Sequence, residues 1–382
     1  MSKIKVNRLE NTSTANGGID IDTSGHVQVD GLQMPTAGPL SNRNMLINGS
    51  MVIDQRNSGT VADTTGASYL SCDRWSYVYA AASKFTAQQT TTTPVGFYKS
   101  LQLTSSAATS PTSTNAYIVK QIIEGNNIGH LNFGGANAKT ITLSFNVKAS
   151  VTGDYSVAIT NGANSRSYVT TFNVTSTGWE YKTITISGDT TGSWANDNTA
   201  GLAVKFDLGS GTDFETATTD AWQSGDFLRT SSSVKFIGTN AATFNITGVQ
   251  LEVGSKATPF EHENYGQTLA KCQRYYLRVT AHTTNGRMAT AGNGSVSGCF
   301  PTLFLPTTMR AQPSVAVSSF GHFTTEGIAG GGTQVCTGVG FNAASSNAIT
   351  LNVSASGGNS SATGGQLLAN TTAAFLELIA EL

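Results

Sequence analysis

The sequence is poor in charge, proline and cysteine, and it contains no long apolar run. Of 382 residues, 12% are Asp, Glu, Lys or Arg, against a usual share of about 25%. The 22 basic and 23 acidic residues leave a net charge of −1. That balance argues against binding nucleic acid through its phosphates, which needs a basic face, so no nucleic-acid partner is expected. No stretch approaches the roughly 18 apolar residues of a membrane-spanning helix, so no membrane insertion is expected either. The opening, Met1-Ser2-Lys3-Ile4-Lys5-Val6, lacks the apolar core of an export signal and points to synthesis in a cytoplasm. Cys72, Cys272, Cys299 and Cys336 have no metal-ligand spacing and read as free thiols. The five His residues are far apart and form no His-x-His pair, so no metal and no cofactor are assigned.

Polarity comes instead from 54 Thr, 40 Ser and 41 Gly. Thr suits strands, and Gly, Asn and Ser suit the turns between them. The composition therefore predicts a mainly β protein.

Three regions follow from the patterning. Residues 1–43 hold thin period-2 pairs, Ile4/Val6, Ile19/Ile21 and Val27/Val29, separated by Gly17-Gly18 and Ser24-Gly25. These predict very short strands that cannot make a core alone, so the segment is either disordered by itself or buries its Ile and Val against other chains. Pro35-Thr-Ala-Gly-Pro39 reads as a linker. Residues 44–262 form a train of alternating strands, such as Ile141/Leu143/Phe145/Val147 and Leu202/Val204/Phe206/Leu208. Regular short strands with turn signals between them predict a two-sheet sandwich. In Phe244–Val253 the apolar phase slips from even to odd positions near Gly248, which predicts a β-bulge. Residues 263–382 open with a helix predicted over Tyr265–Leu277, where Leu269, Cys272 and Tyr276 fall at helical spacing. Strands then return, with loops at Gly330–Gly332 and Gly357–Gly358 and a final apolar strand, Phe375–Leu382. That second β-sandwich is the predicted tip domain.

Several segments resemble parts of one family. Asn42-Arg-Asn-Met-Leu-Ile-Asn-Gly-Ser-Met-Val-Ile-Asp-Gln-Arg56, followed by Cys72-Asp-Arg-Trp75, resembles the opening of a module in tail fibres of tailed bacteriophages. Ile246–Gly254 and Ala257-Thr-Pro-Phe-Glu261 resemble its closing strand, and Tyr265–Tyr276 the helix that follows. Lys3–Asn11 is similar to virion-attachment starts in marine and cyanobacterial phage proteins, and Phe304–Pro313 to a segment of fibre tips. The middle domain resembles jelly-roll carbohydrate-binding modules, whose Thr-Gly-Trp strand appears as Thr177-Gly-Trp-Glu-Tyr181. The resemblance implies a homotrimer. Residues 1–43 would dock on a phage tail or neck protein, and the outward C-terminal domain, chiefly residues 280–382 by position, would bind host cell-surface polysaccharide during adsorption. It implies a place in the virion tail and no catalysis. The alternative is a structural adaptor or decoration protein at neck, nozzle or capsid, without host contact.

Sugar rings stack on aromatic faces, so the four Trp residues are the first candidates. Trp75 and Trp179 begin alternating strands and read as core or edge residues. Trp194 and Trp222 sit in polar loops beside Asn and Asp and are the candidate glycan-binding residues. The competing reading folds each back over the end of the sandwich. Glycoside hydrolysis needs two carboxylates about 5–10 Å apart. Here the acids are scattered, many in Gly-Asp turns, and no Gly-x-Ser-x-Gly elbow occurs. A non-enzymatic protein is expected.

Overall fold

A computed structural model of the chain describes residues 8–10, 18–23, 27–29, 32–34, 41–64, 68–292, 294–295, 298–327, 333–345, 347–355 and 365–382. The expected Ile4/Val6 strand, the Ser24-Gly25 turn, the Pro35–Pro39 linker and the loops Gly330–Gly332 and Gly357–Gly358 lie outside these residues. The fold is mainly β, and its contacts divide it into two compact units, Met1–Asn264 and Tyr265–Leu382.

The first unit opens with β1 (Arg8–Glu10), β2 (Gly18–Ile21), β3 (Val27–Val29) and β4 (Leu32–Gln33), an antiparallel sheet in chain order. Leu9 lies opposite Ile19, Ile19 opposite Val29, and Ile21 opposite Val27. Period-2 alternation therefore gathers these aliphatic residues on one face. The face is open: Leu9 is 59% exposed and Ile19 and Ile21 are each 42% exposed. Asp20 makes an ion pair with Arg8, 3.1 Å from its Nε.

The body comprises β5 (Ala62–Asp63), β6 (Ser76–Tyr79), β7 (Phe85–Thr90), β8 (Ser100–Ser105), β9 (Tyr117–Glu124), β10 (Ile141–Ala149), β11 (Gly153–Asn161), β12 (Arg166–Val174), β13 (Glu180–Ile186), β14 (Ala200–Asp207), β15 (Trp222–Ser224) and β16 (Thr243–Val253). One sheet runs β13-β10-β16-β8-β7-β5 and the other β15-β12-β11-β14-β9-β6. From β8 onward the chain passes repeatedly from one sheet to the other, as jelly-roll connections do. Alternate residues of both sheets meet in one core that includes Trp75, Phe145, Val157, Phe206, Phe244 and Leu251. Phe145 and Phe206 pack edge to face with centroids 5.1 Å apart. Each fully buried side chain of this size contributes about 1.5–3 kcal/mol of apolar transfer.

The bulge is where the phase slip places it. Ser144 faces Gln250 and Asn146 faces Thr247, so Gly248 and Val249 together oppose Phe145. Gly248 has φ +63°, and a Cβ there would come within 2.5 Å of the Phe97 ring. Glycine satisfies both the left-handed backbone and the close approach.

The second unit holds α1 (Tyr265–Gln273), β17 (Tyr276–Thr280), β18 (Arg287–Gly292), β19 (Gly294–Ser295), β20 (Gly298–Cys299), β21 (Thr302–Phe304), β22 (Ser314–Val317), β23 (Phe323–Gly327), β24 (Gln334–Ala344), β25 (Ala348–Ala355), β26 (Gly365–Ala369) and β27 (Phe375–Ile379). The helix is shorter than its apolar spacing predicts. Tyr276 begins β17 rather than extending the helical stripe, because Tyr276–Thr280 pairs along its whole length with β27. The last strand, β27, lies between β17 and β22. Six of the other strands close on themselves: β21, β18, β26, β23, β24 and β25 pair in that order, and β25 also pairs with β21, while β20 adds to β25 and β19 to β20. The second sandwich is thus a strand ring beside a small three-stranded sheet. Two register shifts between β24 and β25 supply the bend that closure needs. All four cysteines are free and buried. Burial pushes Cys299 up to about 11 and Cys336 up to about 12, which keeps both as unreactive thiols near neutrality.

Candidate functional site

The segments that carry the phage-fibre resemblance form a closed polar knot. Asn48 sits at φ +58° and is 2% exposed. Its Nδ2 donates to the carbonyls of Ile53 and Asp73, each at 2.9 Å, and its Oδ1 accepts from Ile53 N at 3.0 Å. The indole N–H of the buried Trp75 donates to the Asn48 carbonyl at 3.3 Å. Asp73 accepts from Gln55 through both N and Nε2. Glu261 then ties the end of the body to its start, accepting from the backbone N–H groups of Asn42, Arg43 and Asn44 at 2.6, 2.6 and 3.0 Å. The side chains of Asn48, Trp75, Asp73 and Glu261 thus bond to other parts of the fold.

Trp179, at the start of the edge strand β13, is half-buried. Trp194 and Trp222, 28 positions apart in sequence, come together. Their rings meet at right angles with centroids 5.4 Å apart. Phe133 packs against both, at 4.8 and 5.7 Å, and Tyr168, opposite Trp222 across the sheet, adds a contact at 5.5 Å. Both tryptophans are half-buried over the edge of the main core. Their indole N–H groups are already engaged: Trp222 donates to the Ser187 carbonyl at 2.6 Å and Trp194 to the Thr191 carbonyl at 3.3 Å. Neither residue is fully covered, and an indole ring is a group that packs against a sugar.

The loop between β13 and β14 is held rigidly. Arg166 on β12 grips Asp189 with two parallel bonds, Nε to Oδ2 at 2.8 Å and Nη2 to Oδ1 at 2.7 Å. This bidentate pair raises the Arg166 pKa above its ordinary value. Asn161 Nδ2 holds the Ser193 carbonyl at 3.0 Å. Beside Trp194, the same loop borders a cleft of about 330 Å³ lined by Gly162, Ala163, Ser193, Ala195, Thr199 and Ala200. The lining is small because backbones approach closely: a Cβ on Gly162 would lie 1.8 Å from the Ala200 carbonyl oxygen. The cleft offers short polar groups and no aromatic side chain; it adjoins Trp194 through Ser193 and Ala195, its neighbours in the chain.

Sequence reasoning named Trp194 and Trp222 and missed Phe133, Tyr168 and the Arg166–Asp189 clamp. No local pattern marks these residues: strand pairing brings in Arg166 and Tyr168, and loop packing brings in Phe133 and Asp189. Among carboxyls, burial pushes Asp207 above its ordinary value despite the Arg229 guanidinium beside it. Asp207 is 2% exposed and accepts from Gly209 N and Ser210 N, so it shapes a turn sealed from solvent. Among the described residues no group of three or more His, Cys, Asp or Glu is placed to hold a metal.

No protein-family model matches the sequence, and no curated protein does. Among solved structures, the chain is similar to the enzymatically active domain of tailspike protein 4 of bacteriophage CBA120, at 12% identity and TM-score 0.30. That match covers 55% of this chain and 21% of the tailspike chain. It is also similar to a CBM61 module solved with β-1,4-galactotriose, at 10% identity and TM-score 0.27, covering 56% of this chain and all of the module. A CBM22 xylan-binding domain of Paenibacillus barcinonensis Xyn10C matches at 10% identity and TM-score 0.22, covering 53% of this chain and 99% of that domain.

Proposed function

We propose that this chain is a non-enzymatic receptor-binding fibre of a tailed bacteriophage, a homotrimer that holds weak glycan sites at the end of the virion tail. The observation that carries the binding role is the meeting of Trp194, Trp222 and Phe133, with both tryptophans left half-buried over the edge of the core. The tail-fibre role rests on the motif order from Lys3 to Pro313. The open aliphatic face of β1–β4 supports assembly through residues 1–43, either with sister chains or with a tail or neck protein, because such a face is stable only when covered. Three sites on one trimer raise effective concentration, so contacts that are individually weak give useful avidity.

A second reading, a structural adaptor or decoration protein of the particle, is favoured by one observation: both indole N–H groups are used internally. Binding of the full chain to an array of bacterial surface polysaccharides separates the two. The fibre reading expects selective binding that drops at least tenfold in Trp194→Ala and Trp222→Ala. The adaptor reading expects none. Light scattering should return about three times 39.7 kDa for the full chain, and a monomer removes the avidity argument.

A further inference from the structure

The opposite face of the sheet that carries Trp222 holds a second arrangement. Read across the strands, one row is Val169, Ala158, Lys205, Lys120 and Ser76. Lys205 and Lys120 are therefore directly opposed on neighbouring strands. Directly opposed residues hold their Cβ atoms about 4.5–5.5 Å apart, where like charges are unfavourable. Lys205 is 3% exposed and satisfied, its Nζ donating to Asp226 Oδ1 at 2.8 Å and to Asn164 Oδ1 at 2.9 Å. Lys120 is half-buried, and among the described residues its ammonium makes no ion pair or hydrogen bond.

The surroundings are apolar. Ile118, Ala158, Val169 and Leu228 form a separate small cluster on this face, with Val78, Phe214 and Phe227 packed against it. Two ammonium groups thus share one carboxylate in a partly desolvated place, leaving one positive charge unanswered. Burial, with the facing Lys205 ammonium, lowers the Lys120 pKa, while Asp226 opposes the shift. Burial also lowers Lys205, with Asp226 again opposing. A surface lysine gains little from an ion, but one with part of its water removed gains more from the same partner.

We propose that Lys120, beside the Lys205–Asp226 pair, forms a binding subsite for an oxyanion, the carboxylate or sulfate of an acidic polysaccharide. The incoming anion takes the place of the missing counter-charge, and the half-buried Phe227 and Val78 offer apolar surface to the ring that bears it. The subsite lies on the opposite face of the sheet from Trp222. It goes beyond the proposed function and rests on that reading only for the source of the anion.

The test uses the full chain with its lysines reductively methylated with ¹³C, the Lys120 resonance being assigned from Lys120→Arg. Inorganic sulfate, trigalacturonate, a sulfated galactan oligosaccharide and neutral cellotriose are titrated in turn, and affinities are measured by calorimetry on unmodified protein. The expected result is a saturable shift of the Lys120 resonance with sulfate. Either trigalacturonate or the sulfated oligosaccharide should bind at least tenfold tighter than cellotriose, which identifies the source of the anion. Lys120→Met should lose that preference while keeping the wild-type melting temperature, and Lys120→Arg should retain it. A Lys120 resonance indifferent to all three anions overturns the proposal, even if a neutral glycan binds elsewhere. So does a Lys120→Met variant that binds the preferred anion as tightly as wild type. A response to sulfate without binding of any oligosaccharide upholds the anion subsite and counts against the glycan reading.

Discussion

Two regions of the first unit use similar residues to opposite ends. Around Asn48 and Trp75, an aromatic ring and several amide and carboxylate groups are sealed, and their hydrogen-bonding groups are matched within the fold. Around Trp194 and Trp222, aromatic rings and polar loops are again combined, but both tryptophans stay half-buried. The first region is architecture: its polar groups fix one chain path because any alternative leaves a buried donor or acceptor unmatched. The second is rigidly held yet incompletely covered, which is what a preformed binding surface requires. Motif density alone therefore misleads, since the richest motifs in this chain belong to the closed region.

Mutations sharpen the contrast. The largest loss should come from Asn48→Ala, which removes three buried hydrogen bonds and places a non-glycine, non-asparagine residue at positive φ. We expect about 3–4 kcal/mol, read from urea unfolding. Gly248→Ala comes next, at about 2–3 kcal/mol, because its Cβ meets the Phe97 ring and Asn146 Nδ2 at a strained φ. Trp194→Ala should cost only about 1–2 kcal/mol by the same measurement, for a half-buried ring, while weakening glycan binding tenfold or more. If Trp194→Ala destabilises as much as Asn48→Ala, the two regions are alike and the contrast fails.

The smallest effect is one of pH. The Lys182 ammonium, 2.6 Å away, together with hydrogen bonds from Thr175 and Ser176, holds Glu180 down to about 2 from an ordinary 4.5. A carboxyl whose pKa is lower in the folded state adds stability above pH 4.5 and loses it as pH falls toward 2. Glu180→Gln should therefore differ from wild type in urea midpoint at pH 6 and converge with it near pH 2. An unchanged gap across that window removes this assignment.

Much of the secondary structure was legible because it is written in local phase. The slip between Ile246 and Val249 marks the bulge, and the alternation of Phe375–Ile379 marks a strand with neighbours on both sides. The helix end was not legible. Tyr276 fits the helical stripe as well as it fits a strand, and its pairing with Ile379, over 100 residues away, decides between them. The ring closure of β24 and β25 depends on register shifts that no spacing reveals. At the aromatic end, Trp194 and Trp222 could be named as loop aromatics in polar company. Tyr168 meets Trp222 through strand pairing, and Phe133 and Trp194 arrive from loops distant in sequence. Lys120 and Lys205 are likewise unremarkable in sequence and become a pair only through the β9–β14 register.

The central claim, that glycan binds at the half-open aromatic end and not at the closed knot, is tested most directly by ¹⁵N indole NMR. The chain has four tryptophans, hence four indole resonances assignable by single substitutions. Titrating the full chain with a polysaccharide selected on the array should move the resonances of Trp194 and Trp222 and leave Trp75 in place. Saturable binding with Trp194 and Trp222 both unmoved would contradict the account.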